Sequence, residues 1–270
     1  MDITFIGGGN MACALIGGLL QRDFSPKKMC VVEINAEGRQ RIRDTFNVQV
    51  MAELARGITK SSIILLAVKP QQLPAVAGEL APLLENQLVI SIAAGIRAND
   101  ISRWLGSHTR VVRAMPNTPA LVGAAVTGLY ALPGVTEEEK RTAESVLAAA
   151  GSVLWVESEE LLDAVTAISG SGPAYVFYFI EAMQEAGCEL GLSPAQARQL
   201  CIETFLGASR LLSHSDEEAT ALRARVTSPG GTTERAILSL ENEGFKNIIV
   251  RAIHAANRRS RELANEFGKL

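Results

Sequence analysis

The chain has no long hydrophobic run. Nothing in it approaches the about 18 unbroken apolar residues that a spanning helix needs, which argues against a membrane segment. Excess positive charge is also missing: the net charge is −3, so no basic surface points to nucleic acid. Cysteine is sparse. Cys13, Cys30, Cys188 and Cys201 are never at C-x-x-C spacing, and no histidine stands near them in sequence. This excludes a disulfide frame and a zinc site, so no metal is expected, and it fits reduced thiols in a cytoplasmic protein. No secretory leader is visible, because Asp2 follows the initiator and the first apolar segment is only strand-length. G-x-S-x-G, H-E-x-x-H and phosphate-loop motifs are all absent. Histidine is limited to His108, His214 and His254, and no lysine occurs between Lys140 and Lys246.

What is present begins at the N-terminus. Ile3-Thr4-Phe5-Ile6 reads as a buried strand, and it runs directly into Gly7-Gly8-Gly9-Asn10-Met11-Ala12 and then a helical apolar pattern. Strand, G-x-G-x-x-A and helix in that order form a dinucleotide-binding pattern. Gly7 permits the sharp turn, Gly9 lets backbone approach a pyrophosphate, and Ala12 lets helix and strand pack closely. The helix start then presents unpaired N–H groups to the phosphates.

Residues 1–156 alternate short apolar runs with helical patterns. The expected strands are 3–6, 30–32, 63–67, 88–92, 111–114, 126–130 and 153–156. They are apolar throughout, as in strands covered on both faces of a doubly wound α/β sheet. Thr136 and Glu139 make a capping box for a helix over 137–150. From residue 157 to 270 the strand signals stop, and six helices are expected, over 159–168, 173–190, 194–212, 217–226, 232–243 and 246–267. The fold class is therefore a Rossmann α/β domain followed by an all-α domain. Residues 173–180 (PAYVFYFI) are apolar nearly all round. Such a helix is buried on every side, which in so small a helical domain points to an interwoven homodimer.

Several turns carry candidate chemistry. Glu33 closes the second strand at the usual distance for an acid that binds the adenosine ribose and favours NAD(H), while Arg39 and Arg41 follow and could answer a 2′-phosphate. The choice between NADH and NADPH stays open. Ala67-Val68-Lys69-Pro70 leaves one strand at its carboxyl end, where Lys69 is placed to meet cofactor phosphate or ribose. Ala93-Ala94-Gly95 ends the next, leaving room for a nicotinamide ring. In Met115-Pro116-Asn117-Thr118-Pro119, Asn117 and Thr118 are candidates for its carboxamide. In the helical half, Ser169-Gly170-Ser171-Gly172-Pro173 and Ser228-Pro229-Gly230-Gly231-Thr232-Thr233 each open a helix. The second has the makings of an anion nest for a carboxylate. A nicotinamide site without a nearby lysine or histidine suits a substrate that needs little proton help. A cyclic imine arrives protonated and already electrophilic, whereas a ketone or alcohol wants an acid or base.

Taken together and in order, I-G-G-G-N-M, A-V-K-P, S-I-A-A-G, R-A-M-P-N-T-P, S-G-S-G-P-A-Y and S-P-G-G-T-T resemble the pyrroline-5-carboxylate reductases over essentially the whole chain. The resemblance implies reduction of 1-pyrroline-5-carboxylate to L-proline by NADPH or NADH. It also implies a homodimer with its active site built between chains, and in some members rings of dimers. By motif, Ile6 to Ala12, Glu33, Ala67 to Pro70, Ala93 to Gly95 and Asn117 would hold the cofactor. Ser228 and Gly230 to Thr233 would hold the substrate carboxylate, and Thr233 would bond the ring nitrogen as the catalytic residue. Glu33 departs from the Ser, Asn or Arg common there and puts the usual NADPH preference in doubt. A β-hydroxyacid dehydrogenase shares the two-domain plan, but it carries a catalytic lysine on the helix after its glycine turn, and here the helix after Gly172 has none. A non-catalytic dinucleotide sensor would leave residues 228–233 with nothing to do.

Overall fold

The structure is a computed structural model, and it describes residues 1–269. One sheet holds β1 (Ile3–Ile6), β2 (Met29–Val32), β3 (Gln49–Met51), β4 (Ile63–Leu66), β5 (Leu88–Ser91), β6 (Val111–Met115), β7 (Ala125–Ala131) and β8 (Gly151–Trp155). Their order is β3-β2-β1-β4-β5-β6-β7-β8. All neighbours run parallel except β6 and β7. Because successive side chains alternate between faces, each central strand feeds two cores. Phe5, Leu65, Ile90 and Val112 pack with Leu15, Ile16 and Leu19 of α1 (Asn10–Gln21). On the other face, Ile6, Ile64, Leu66 and Val89 pack with Leu73, Ala77 and Leu80. The expected doubly wound sheet is what forms.

Three local differences have physical causes. The edge strand β3 is a strand that apolar runs do not announce: it is three residues long and begins on the exposed Gln49. The expected capping box forms through Thr136 and Glu139 at the start of the helix Glu137–Leu147, but the chain tightens to a 3₁₀ turn at 148–150. The helix expected over 159–168 starts at Leu161 and runs only to Val165, followed by a π-turn at Thr166–Gly170. Glu159 lies outside that helix, because its carboxylate accepts from buried Arg113 Nη1 at 2.9 Å and from the Ala98 N–H at 2.6 Å. Burying both partners together avoids leaving either charge uncompensated.

The described residues pack as two compact units, Met1–Ser171 together with the chain from Ala256 onward, and Gly172–Ala255. In the second, a long helix at Gly172–Glu189 packs on another at Pro194–Ser213, where the backbone of Gly187 lets Ala197 come close. Ser193 and Gln196 form a capping box ahead of Pro194, as the Ser-Pro pair implies. Phe179 meets Phe205 and Phe245 at ring-centroid distances of 5.6 and 5.8 Å. The Gly172–Glu189 helix is not buried on every side within one chain. Phe177 is 66% and Tyr178 77% exposed, so its apolar face lacks a cover. No described helix is long and apolar enough to cross a membrane.

Candidate active site

The expected cofactor turns stand side by side at the carboxyl edge of the parallel strands. The Gly7 N–H donates to the Val32 carbonyl at 2.8 Å, Ala67 N–H to Ile6 at 2.8 Å, and Ile92 N–H to Leu66 at 3.1 Å. These bonds hold the ends of β2, β1, β4 and β5 in register, and the strand order reverses between β1 and β4. Dinucleotides bind at such a reversal. Gly7 has φ +97°, and a Cβ there would lie 2.7 Å from the Ala67 carbonyl oxygen, so the turn itself requires glycine. Gly9 is different: a Cβ would meet nothing within 4 Å. The space above Gly9 is open, and α1 begins there with no side-chain cap and no acidic residue in its first turn. An uncapped helix start beside an open glycine fits a pyrophosphate. Ile6 and Ala12 are buried beneath this turn, Met11 is half-buried, and Asn10 is exposed.

Glu33 is tied to the same turn. One carboxylate oxygen accepts from the Gly8 N–H at 2.9 Å and the other from the Asn35 N–H at 2.9 Å. Arg39 Nη1 donates to the carbonyls of Glu33 and Ile34 at 2.9 and 2.8 Å. The acid and the guanidinium therefore sit together at the end of β2, where the ribose of a dinucleotide is read. Lys69 is exposed as β4 leaves the sheet, ahead of a 3₁₀ turn at Pro70–Gln72, while Ala67 and Val68 are half-buried.

Two expectations about small or polar residues need correction. Ala93 and Gly95 do not leave empty space. Ala93 is part of the core, and a Cβ on Gly95 would come 3.2 Å from Leu263 Cβ on the C-terminal helix (Phe245–Phe267), so only Ala94 is exposed at this turn. The smallness of Gly95 serves helix packing. The Asn117 side chain is not held ready for a carboxamide. Its Oδ1 accepts from the Val126 N–H at 3.0 Å, and its Nδ2 donates to the Ser169 carbonyl at 3.1 Å. Thr118 beside it is exposed.

In the second unit, Gly230 takes φ +72° and Gly231 caps a helix at Thr232–Asn242 without any side-chain cap. The expected nest is partly occupied. The Gly230 N–H donates to Glu234 Oε2 at 2.7 Å, and Gly231 N–H to the Ser228 carbonyl at 3.0 Å. The first N–H engaged in the helix beyond them is that of Arg235, which donates to Gly231. The N–H groups of Thr232, Thr233 and Glu234 are thus the ones a carboxylate can use. Glu234, which sequence reasoning missed, organises the turn. Its signal was an acid at the third helical position, where such a side chain reaches back to the chain before the helix.

All four cysteines are free, and burial pushes the thiols of Cys13 and Cys30 up, away from nucleophilic thiolate. No group of three potential metal ligands occurs among the described residues.

Known proteins match the chain over nearly its whole length. Residues 159–263 match the family model described as pyrroline-5-carboxylate reductase dimerisation, and residues 2–95 match NADP oxidoreductase coenzyme F420-dependent. A pyrroline-5-carboxylate reductase of Pseudomonas aeruginosa is 44% identical over 268 residues, spanning 99% of this chain and 98% of its own. A solved pyrroline-5-carboxylate reductase from Coxiella burnetii superposes with a TM-score of 0.93 at 41% identity, covering 97% of this chain and 98% of that one. A Plasmodium falciparum pyrroline carboxylate reductase solved with NADP bound gives 0.88 at 29% identity, covering 98% of each chain. With its sheet edge, its uncapped glycine turns and its full-length relatives in agreement, the chain belongs to the pyrroline-5-carboxylate reductase family, the NAD(P)H-dependent oxidoreductases that reduce 1-pyrroline-5-carboxylate to L-proline.

Proposed function

We propose that in this chain the cofactor lies along the carboxyl edge of the sheet and the substrate on the turn at 228–233. The open, uncapped turn at Gly9 carries the proposal. Residues Ile6 to Ala12 hold the pyrophosphate, and Glu33 meets the adenosine ribose. Ala67 to Pro70, the exposed Ala94 and the backbone at Asn117 line the path toward the nicotinamide. Residues 1–156 thereby form the dinucleotide domain, and 157–270 the dimerisation and substrate domain.

The nicotinamide supplies a hydride when bound. This chain's residues have to place the electrophile and exclude wrong orientations. The substrate carboxylate takes the N–H groups of Thr232 and Thr233, at the positive end of the helix that begins at Thr232. Glu234 holds Gly230 and so keeps the turn formed around them. The Thr233 hydroxyl bonds the ring nitrogen and orients the C=N carbon. The imine enters protonated, and the hydride adds to carbon while the C=N π electrons move to nitrogen. The product is the neutral secondary amine of L-proline, with no further proton required in that step. The absence of a lysine between Lys140 and Lys246 fits this economy. The working unit is a homodimer that covers the apolar face of the Gly172–Glu189 helix, and rings of dimers are assemblies of that unit. The four free cysteines fit a cytoplasmic setting.

The test is loss of NADH or NADPH absorbance when 1-pyrroline-5-carboxylate is added to the purified protein. Rapid oxidation with L-proline as product is expected. Cofactor binding with no oxidation would favour the sensor reading or a hydroxyacid substrate.

A further inference from the structure

The turn Ser169–Pro173 has no part in the roles above, yet it has an unusual bonding problem. The chain winds as a π-turn over Thr166–Gly170, with the Ser171 N–H on the Thr166 carbonyl at 2.8 Å. In a continuing α-helix the Ser169 carbonyl would accept from the N–H four residues on. That residue is Pro173, which has no N–H. The carbonyl is instead served by Asn117 Nδ2 at 3.1 Å, from the loop that follows β6. Asn117 is only 8% exposed, and its other end is fixed by the Val126 N–H on β7. The two loops are also packed together, since a Cβ on Gly170 would lie 2.6 Å from Met115 Cε. The Ser169 hydroxyl donates to Val165 at 2.9 Å and leaves its carbonyl to Asn117.

We propose that Asn117 is a positioning residue. Its side-chain amide stands in for the N–H that Pro173 lacks, and so locks the cofactor-side loop 115–118 to the π-turn 166–170. It acts on the reaction through the backbone it holds, without its side chain touching the cofactor. The inference rests on the assignment of the sheet edge to the nicotinamide end. It also gives S-G-S-G-P a role, because its proline removes the donor that the asparagine of M-P-N-T-P replaces.

The test is a double-mutant cycle with Asn117→Ala and Pro173→Ala, measuring kcat with 1-pyrroline-5-carboxylate, the Kd for NADPH and the thermal midpoint. Asn117→Ala alone is expected to lower kcat by about tenfold or more, because small misplacements at a reacting centre are expensive, while the NADPH Kd stays within about threefold. Pro173→Ala supplies an N–H four residues after Ser169, the position from which an α-helical bond to its carbonyl is made. In that background, Asn117→Ala is expected to lower kcat by less than about threefold, with the thermal midpoints showing the same rescue. Asn117→Asp keeps the Val126 bond and removes the donor. It is expected to behave like Asn117→Ala, and it carries the cycle if the alanine variant does not fold. Additive losses in kcat and midpoint would overturn the inference. So would an NADPH Kd that rises in step with the loss of kcat, which would make Asn117 a direct cofactor ligand. Wild-type protein without turnover would instead count against the reductase placement, and the midpoint cycle would still decide whether Asn117 and Pro173 are coupled.

Discussion

The two compact units handle hydrophobic surface in opposite ways. In the first, the strands β1, β2, β4 and β5 are buried from end to end, and both sheet faces are covered by the same chain. In the second, the most apolar helix of the unit leaves Phe177 and Tyr178 largely exposed, and Gly187 is its only buried residue. A sheet with helices on both faces completes its core within one chain, whereas a handful of helices around one apolar rod does not. The first unit should therefore stand as folded and bind cofactor on its own edge. The second should depend on another copy, and the substrate turn it carries should share that dependence.

The sharpest way to test the cofactor side is within one turn. Gly7→Val should damage the fold, because φ +97° and the nearby Ala67 carbonyl leave no room; a loss of more than about 2 kcal/mol is expected in denaturant unfolding. Gly9→Val should leave stability within about 0.5 kcal/mol, since its Cβ meets nothing, but raise the NADPH Kd on the order of a hundredfold by filling the phosphate approach. If Gly9→Val retains the fluorescence enhancement of bound NADPH, the pyrophosphate does not lie there.

A smaller effect separates substrate from cofactor. Thr233→Ala should lower kcat about tenfold to a hundredfold, with NADPH affinity unchanged, because it removes the hydroxyl that accepts from the protonated imine nitrogen and orients the reacting carbon. Unchanged kinetics would remove Thr233 from the mechanism. The mildest change concerns Glu33. Its carboxylate holds the Gly8 N–H and, in the proposed placement, meets the ribose, so Glu33→Ala should raise KM for both cofactors a few-fold. It should also move the kcat/KM ratio toward NADPH by about fivefold, by removing a negative charge from the 2′-position. A fixed ratio would mean that Glu33 only supports the loop.

What could be read in the sequence follows the same division. Strands buried on both faces announce themselves as unbroken apolar runs, and all but the edge strand β3 could be placed to within a residue or two at each end. Gly7 and Gly9 could be named from spacing, but only the structure shows that one is needed for the turn and the other for open space. Bonds between distant segments left only indirect local traces. The Asn117 amide depends on a carbonyl 52 residues away, and the covering of Gly95 depends on Leu263. Pro173 is a visible clue to the first, because a proline four residues after Ser169 removes a donor that something else must replace. Glu234 was legible as a first-turn acid, yet its capture of the Gly230 N–H depends on the φ of +72° that the turn adopts. The apolar face of the Gly172–Glu189 helix was expected from composition, although a single chain leaves it open.

The most direct measurement pairs NADPH binding with 1-pyrroline-5-carboxylate reduction in the double variant Phe177→Asp, Tyr178→Asp. Both side chains are exposed within the chain, so the protomer should still fold. The expected result is a monomer that binds NADPH within about threefold of wild type and has lost nearly all turnover, because only the cofactor side is complete in one copy. A monomer that reduces the substrate at the wild-type rate would contradict this division, and would place the whole active site within a single chain.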